Sequence, residues 1–561
     1  MTEDYLLQVR KPARYTGGEW NVSSKKFEDN KVNFALCFPD LYEVGMSNLG
    51  IRIIYGLLNQ LDGVCCQRFF APAADMEQIL RANNLLFSSL EEARPLKDFD
   101  FAGFSLGYEL GYVNVLGMLD LGNIPLRSVE RNKDFPLVIA GGVCCFNPEP
   151  MRDFFDLFLI GEAEEALPEI VGLYARLKDD YKSGSLLKEE LLKEFSHIEG
   201  VYVPSLPAKK IKKRFIKDLD SSFFPVKWLV PYIEIIHDRM MLEVMRGCPY
   251  KCRFCQANRI YHPLRFRSKD KLISTAQEIY SSTGYEDISL AGLCVSDYPR
   301  VDLLLKDLFA CFSQKAVSVS LPSIKPKDLT GDIAGILSKV KKTGLTFAPE
   351  AGSQRLRRVL NKEFDEDVFF DAMEKAYSAG YQRVKLYFMS GVPSETQEDL
   401  EGIIDFSVKV SELRRKIGLP RAQINISVNT MIPKPHTCFQ WQAMDNIEAM
   451  FAKQKILRDK ASKHKSLRLN FHDPHMSFIE AVFSRGDRRL GGVIEHVFSQ
   501  GGRFQAWDDQ FNFKLWQDAF ISSGINPQDY LLAGKIEDRL PWDFIDTGIP
   551  KESLAQECAN F

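Results

Sequence analysis

Three closely spaced cysteines stand near the middle of the chain, where residues 246–255 read Arg-Gly-Cys-Pro-Tyr-Lys-Cys-Arg-Phe-Cys. Cys248, Cys252 and Cys255, called the loop cysteines below, are separated by three and then two residues, so one short loop can bring their thiolates together. A tetrahedral zinc site needs a fourth ligand, for which His262 is the nearest candidate. A cubic four-iron cluster on three thiolates would instead leave one iron open to a small molecule. The residues alone leave both kinds of metal site open.

Small and polar residues follow the predicted strands in the second half of the chain, which is where α/β-barrel enzymes bind their ligands. Glu350 lies between a predicted strand and a glycine-containing turn, where a carboxylate can accept hydrogen bonds from a ribose diol. Lys385 lies inside a predicted strand, where it either meets the carboxylate of a bound amino acid or forms an internal ion pair. The loops concerned are 247–255, 292–297, 322–323, 349–353, 390–395 and 433–437.

The C-x-x-x-C-x-x-C pattern, with the aromatic residue Phe254 before its third cysteine, resembles the signature of the radical S-adenosylmethionine (SAM) enzymes. Other stretches resemble members of that superfamily with an amino-terminal cobalamin-binding-like domain, and the similarity extends over nearly the whole chain. These stretches are Phe-Ala-Pro-Glu-Ala-Gly-Ser at 347–353, Gly-Val-Pro-Ser-Glu-Thr at 391–396 and Pro-Lys-Pro-His-Thr at 433–437. By this resemblance the loop cysteines hold a 4Fe-4S cluster, and the amine and carboxylate of SAM bind the open iron.

The same resemblance implies which residues contact SAM. Many members bind the methionyl amine through a glycine-glycine-glutamate motif, but Ala-Gly-Leu stands here at 291–293, after the second strand of the series. No residue is assigned a catalytic role. The residues expected to contact SAM are Phe254, Gly292, Ser323, Glu350 and Lys385.

The residues after the first predicted strand bear on cobalamin, because cobalamin-binding α/β domains carry there a D-x-H-x-x-G motif whose histidine coordinates cobalt. This chain reads Asp-Leu-Tyr-Glu-Val-Gly at 40–45, which keeps the frame and replaces the histidine by Tyr42. A phenol with a pKa of about 10 is a poor cobalt ligand at neutral pH. We therefore expect cobalamin without a protein ligand below the metal, the alternative being a domain that has kept the fold and lost the cofactor. The expected contacts are Tyr42, Gly45, Ser105, Gly141 and Gly142.

The elements that position these residues predict an α/β protein in which strands alternate with helices. Residues 31–175 are predicted to form a Rossmann-like domain of the cobalamin-binding type, with strands at 32–38, 101–106, 137–140 and 157–160. Residues 226–470 contain six βα units, whereas a closed eightfold barrel takes roughly 250 residues, so a partial (β/α)6 barrel of the TIM type is expected. The strands of this barrel are predicted at 239–245, 287–291, 317–321, 345–348, 383–389 and 424–431.

Three further segments complete the predicted domain organisation. Residues 1–30 show no clear periodicity and are predicted to form an arm. Residues 176–225 combine a charged helix with a basic stretch and are predicted to form a linker. Residues 471–561 are predicted to form a mainly helical domain.

The composition is that of an ordinary globular protein, since 45% of the 561 residues are hydrophobic and 26% are charged. The start, Met-Thr-Glu-Asp, is acidic where a signal peptide would be basic, and no apolar run is long enough to span a bilayer. We therefore expect a cytoplasmic protein without membrane contact. The net charge of -3 creates no general attraction for nucleic acid.

The resemblance implies an enzyme in which SAM is cleaved reductively to methionine and a 5′-deoxyadenosyl radical, which then abstracts hydrogen from an unidentified substrate. With cobalamin present, a methyl group could be relayed to that substrate. An electron donor such as flavodoxin or ferredoxin is implied as a partner. The alternative is a non-catalytic iron-sulfur or zinc protein that serves as a scaffold or sensor. The six loops that carry small, polar or charged residues after the predicted strands favour the enzyme, because a scaffold needs only the cysteine loop.

Overall fold

Six strands in the amino-terminal part of the chain form one sheet, and the computed structural model describes residues 3–207, 209–320 and 345–559 of the protein. The strands lie in the order β2-β1-β3-β4-β5-β6, with the first five parallel and β6 antiparallel to β5. All residues of β1 and β2 are buried, as expected for a parallel sheet covered on both faces. These strands are β1 Val32–Phe38, β2 Val64–Phe70, β3 Phe101–Ser105, β4 Leu137–Gly141, β5 Leu157–Leu159 and β6 Val201–Tyr202.

Separate apolar cores lie on the two faces of this sheet, because successive side chains of a strand point to opposite sides. Phe34 and Leu36 of β1 belong to one core, whereas Ala35 and Cys37 belong to the other. The helices of this part are α1 Glu3–Leu6, α2 Tyr42–Gly45, α3 Leu49–Gln60, α4 Ala74–Ala82, α5 Tyr112–Leu121, α6 Ala163–Ser183 and α7 Lys188–Phe195.

The second half of the chain contains two further parallel sheets among the described residues. One has the strand order β12-β11-β8 and the other β13-β14-β15-β16. A short antiparallel pair, β9 with β10, follows directly after β8. The strands from β7 onward are β7 Ile211–Lys212, β8 Met240–Glu243, β9 Met245–Arg246, β10 Arg265–Phe266, β11 Asp287–Ala291, β12 Ser318–Ser320, β13 Leu345–Glu350, β14 Arg383–Ser390, β15 Gln423–Thr430 and β16 Leu467–Phe471.

Most of the helices that cover these strands begin with a capping side chain. Ser268 accepts a hydrogen bond at the start of α9, and Thr396 and Asp399 form a capping box at the start of α13. The helices are α8 Ala257–Ile260, α9 Lys269–Thr283, α10 Val301–Phe312, α11 Gln354–Val359, α12 Glu366–Ser378, α13 Gln397–Lys416 and α14 Ile447–Ala461.

The carboxyl-terminal helices return to the first sheet. Helix α16 packs against α5, and residues of both share one apolar core with β1 and β3. A short strand, β17, pairs in parallel with β7 of the predicted linker. These elements are α15 Pro474–Arg485, α16 Leu490–Ser499, α17 Phe513–Ser522, β17 Ile545–Asp546 and α18 Lys551–Ala559.

The predicted α/β class with parallel strands is confirmed. The predicted linker 176–225 differs, because α6 runs on to Ser183 and the chain then adds α7 and β6 to the first domain. Strands β2 and β16 were not predicted. No helix among the described residues is long and apolar enough to cross a membrane.

Candidate active site

The cysteine loop starts at a turn that requires glycine. Gly247 has a φ of +83°, and a Cβ there would lie 2.8 Å from the Leu264 Cα and from the Pro263 carbonyl oxygen. The far side of the loop is fastened to the end of α11, since the Arg253 amide donates to the carbonyl of Leu360 at 3.0 Å. The loop is therefore held at both ends by backbone geometry, while its three cysteines remain partly exposed.

Burial and one nearby cation act on the thiols of the loop cysteines. Burial raises the pKa of the Cys252 thiol to about 11, and the nearby Lys362 ammonium acts in the opposite direction. Burial also raises the pKa of Cys255, for which Cys248 is a charged neighbour. Among the described residues, no three His, Cys, Asp or Glu side chains are gathered as a single metal ion requires. The assignment of the loop cysteines as cluster ligands therefore stays a prediction of the sequence.

Lys362 is the residue near this loop that sequence reasoning missed. Its ammonium lies 2.7 Å from the Glu350 carboxylate and 5.9 Å from the centre of the Phe254 ring. Burial raises the pKa of the Glu350 carboxyl, against the lowering effect of Lys362. Lys362 thus joins two of the predicted SAM contacts and also acts electrostatically on the loop cysteines. Its position depends on the turn that follows α11, for which the sequence offers no periodic signal.

The other predicted SAM contacts lie on or after other strands. Gly292 follows β11, and a Cβ on it would lie 2.6 Å from the Met245 side chain, so the two strands approach closely there. The Lys385 ammonium lies 4.6 Å from the centre of the Tyr387 ring. Ser323 is outside the described residues. The contacts of SAM therefore stay predictions.

A cavity of about 580 Å³ separates the first sheet from the cysteine loop. Ser105, Gly141 and Gly142 line it from the carboxyl ends of β3 and β4, while Gly247 and Gly292 line it from the other side. A Cβ on Gly141 would meet no atom within 4 Å, so the missing side chain leaves open space rather than a packing contact. Three of the predicted cobalamin contacts and one predicted SAM contact thus border the same space.

Tyr42 and Gly45 lie elsewhere. The Tyr42 ring is buried in the core beside α3, and its hydroxyl donates to the Glu19 carboxylate at 2.8 Å. Burial raises the pKa of this phenol, and the charge of Glu19 raises it further. A Cβ on Gly45 would lie 2.2 Å from the Phe70 ring, so this glycine is needed for packing. Neither residue lines the cavity described above.

Buried charges connect the first sheet to the cysteine loop at the edge of the cavity. Arg246, directly before the loop, donates to Glu243 at 2.8 Å, pairs with Glu162 at 3.2 Å and is bonded to Glu164. Glu162 also pairs with Arg265 of β10 at 2.7 Å. Because Glu162 and Glu164 follow β5, this network holds the loop in register with the first domain.

Family comparisons agree with the predicted superfamily. The model described as "Radical SAM superfamily" matches residues 242–407, and the model described as "Radical SAM proteins, N-terminal" matches residues 50–204. The chain belongs to the radical SAM superfamily. Membership implies a 4Fe-4S cluster, SAM and an electron donor. The loop cysteines, which the sequence predicts to be the cluster ligands, lie within the matched range.

Relatives and solved structures extend the similarity of this radical SAM protein. An uncharacterized protein of Methanocaldococcus jannaschii is 29% identical over 466 residues, which are 83% of this chain and 91% of that protein. A tRNA-2-methylthio-N(6)-dimethylallyladenosine synthase of Petrotoga mobilis is 23% identical over 44% of this chain and 61% of its own length. The cobalamin-dependent SAM radical enzyme OxsB, with aqua-cobalamin and SAM bound, has 13% identity and a TM-score of 0.50 over 94% of this chain and 78% of its own. The likeness to OxsB shows a shared fold.

Proposed function

We propose that this protein is a radical SAM enzyme that cleaves SAM reductively and holds cobalamin in the cavity between its first sheet and its cysteine loop. In this proposal the first domain is of the cobalamin-binding type and the second is a partial (β/α)6 barrel. The observation that carries it is the shared cavity, because Ser105 and Gly141 face the same space as Gly247 of the cysteine loop.

The residues around the loop cysteines have separate tasks in the cleavage of SAM. Phe254, within the loop, packs against a small apolar core that includes Leu356 and Leu360, and so shields that side of the loop from water. Glu350 accepts hydrogen bonds from the ribose, and Lys362 holds its carboxylate in place at 2.7 Å. When bound, the cluster supplies the electron that splits SAM into methionine and a 5′-deoxyadenosyl radical, so the protein's own contribution is position and the exclusion of water.

The cavity is suited to the nucleotide tail of cobalamin. Its walls include the apolar side chains Leu36, Ile53 and Ile54, which suit an aromatic base. A Cβ on Gly107 or Gly141 would meet nothing within 4 Å, so both glycines leave room for a ligand against the backbone. OxsB, which shares the fold, carries aqua-cobalamin in its solved structure.

Tyr42 bears on how cobalt would be coordinated. Its hydroxyl is engaged by Glu19, its pKa is raised by burial, and it lies outside the cavity. We therefore expect no protein ligand below cobalt. The spectrum of bound cob(II)alamin should lack nitrogen superhyperfine splitting in electron paramagnetic resonance. Splitting in the bound state would mean that a nitrogen still ligates the metal.

The test is anaerobic reconstitution with iron and sulfide, with added cobalamin and a reductant, followed by chromatography for 5′-deoxyadenosine and methylated products from candidate pools. The variant Gly141→Leu should fill the cavity and lose cobalamin while keeping the cluster. Gly172→Leu is the matched control, because a Cβ there also meets nothing within 4 Å but the residue lies on α6 outside the cavity. A native protein that retains no cobalamin would favour hydrogen abstraction without methyl relay. A loaded cluster that never yields 5′-deoxyadenosine would favour the scaffold or sensor.

A further inference from the structure

A second cavity of about 470 Å³ lies under the carboxyl-terminal segment. It is lined from the barrel side by His436 and Gln440, in the turn after β15, and from the other side by Trp542 and the start of α18. None of the described residues assigned above to SAM or cobalamin lines it. Its size is in the range of small-molecule sites in proteins.

His436 presents a hydrogen-bond acceptor to this cavity. Its Nε2 lies 2.9 Å from the carbonyl oxygen of Phe146, which can only accept, so Nε2 carries the proton. Burial lowers the pKa of the imidazole to about 4, so the ring is neutral at pH 7 and Nδ1 keeps its lone pair. No hydrogen bond to Nδ1 is found within the described part of the chain. Nδ1 is also not one of the fully buried polar atoms that lack a partner, so it has some access to solvent-filled space. It is therefore open to the cavity that the residue lines.

Gln440 presents a hydrogen-bond donor beside it. Its Oε1 accepts from the Trp542 indole at 2.8 Å and from the His436 backbone amide at 3.0 Å, which fixes the oxygen on that side. The amide nitrogen, Nε2, has no partner among the residues described and is not sealed from solvent. The residue is only 2% exposed and lines the cavity, so this donor opens toward it.

The charges around the cavity do not favour an anion. Lys210 pairs with Asp546 at 3.2 Å, and Lys551 pairs with Asp543 at 2.8 Å. Glu552 adds one further carboxylate to the lining. With two cations against three carboxylates, the walls carry a small net negative charge, which disfavours a phosphate group.

We propose that this second cavity binds an uncharged planar nitrogen heterocycle of the nucleobase or nucleoside type. Such a ring carries an N–H donor next to an acceptor on one edge, which matches the acceptor of His436 and the donor of Gln440. The indole of Trp542 supplies an apolar wall for the face of the ring. The inference concerns binding alone, so it can succeed or fail whether or not the protein binds cobalamin.

Isothermal titration of the full-length protein with adenosine, guanosine, cytidine and uridine tests the proposal. At least one nucleoside should bind at millimolar concentrations or below, and its 5′-monophosphate should bind more weakly. Adenosine should bind at least tenfold more tightly than N6,N6-dimethyladenosine, which keeps the ring and lacks the N–H. This comparison uses the native chain and does not depend on the folding of a variant. The proposal is overturned if no nucleoside binds or if the dimethylated ring binds as well.

Variants identify the cavity. Gln440→Glu keeps the oxygen that receives the Trp542 and His436 hydrogen bonds and removes the donor, so binding should weaken about tenfold. Gln442→Glu is the matched control in the same turn, because Gln442 does not line the cavity. Glu350→Gln should leave nucleoside binding unchanged. If Glu350→Gln weakens it while Gln440→Glu does not, the nucleoside occupies the SAM site and the inference is wrong.

Discussion

The ion pair between Glu350 and Lys362 can show whether Glu350 binds SAM itself or only holds its neighbour. The two groups are 2.7 Å apart, with 14% and 32% of their side chains exposed. Glu350→Gln removes the carboxylate, and Lys362→Met removes the cation. Both variants should keep the cluster, because neither residue is a cluster ligand.

The expected loss of SAM affinity follows from the hydrogen bonds that the substitution removes. A charge-assisted hydrogen bond contributes about 1.5 to 3 kcal/mol, so Glu350→Gln should weaken SAM binding about tenfold to a hundredfold. Glu350→Gln should also lower the free energy of unfolding by about 1.5 kcal/mol, the lower end of that range. The loss is this small because about a third of the Lys362 side chain is exposed, so water can hydrate its ammonium once the carboxylate is gone.

The effect of Lys362→Met on SAM binding should depend on pH. Burial already raises the pKa of Glu350, and removal of the cation raises it further, so the carboxyl of Lys362→Met takes up its proton at a higher pH than that of the native protein. A higher pH ionises the group and restores the acceptor. The affinity of Lys362→Met for SAM should therefore recover as the pH rises, whereas that of Glu350→Gln should not.

The assay is titration calorimetry of SAM against anaerobically reconstituted protein, with iron content measured for each variant. An unchanged dissociation constant in Glu350→Gln would remove this residue from the SAM site. Equal losses at every pH in both variants would mean that Glu350 serves only to hold Lys362.

Three further outcomes are expected. Replacement of all three loop cysteines by Ala should abolish the brown absorbance and SAM cleavage. The control, a triple replacement of Cys37, Cys144 and Cys311, should keep the iron content. A full iron content in the first variant would contradict the assignment of the loop cysteines as cluster ligands. Arg246→Met should cost about 3 kcal/mol in denaturant unfolding, because Glu162 keeps Arg265 and Glu243 keeps Arg267 but the buried Glu164 carboxylate loses its cation, and a loss below about 1 kcal/mol would contradict the network. The pKa of His436 is lowered to about 4, so the unfolded chain takes up its proton first, and stability should fall as the pH drops from about 6.5 toward 4. That fall should flatten in His436→Phe, and an unchanged pH profile would show that the imidazole is not buried neutral.

The parts that sequence reasoning predicted are those whose signal is local. The spacing of the loop cysteines needs no partner from elsewhere in the chain, and β11 at Asp287–Ala291 has the predicted bounds. Strand β2 was missed because Gln67 and Arg68 interrupt its apolar run. The structure shows why they are tolerated: Arg68 is fully buried between Glu19 and Glu91, which stand 49 and 23 positions away.

At the candidate site, too, the contacts that sequence reasoning missed are those between residues far apart in the chain or without a periodic pattern. Lys362 reaches Glu350 through a turn without periodicity. His436 gains its fixed ring orientation from Phe146, which lies 290 positions earlier in the chain. Such contacts depend on how the domains meet, which no local pattern records.

The helices that close the first sheet have a consequence for how the protein is made. The amide of Phe504 donates to Asn114 across 390 positions, and Glu495 pairs with Arg127 across 368. The first sheet is synthesised early, but one of its faces is covered by residues that are translated hundreds of codons later. Topologies of such high contact order fold slowly and expose apolar surface meanwhile. We expect the nascent chain to rely on chaperones until α16 emerges from the ribosome, and the amino-terminal domain produced without the carboxyl-terminal helices to aggregate.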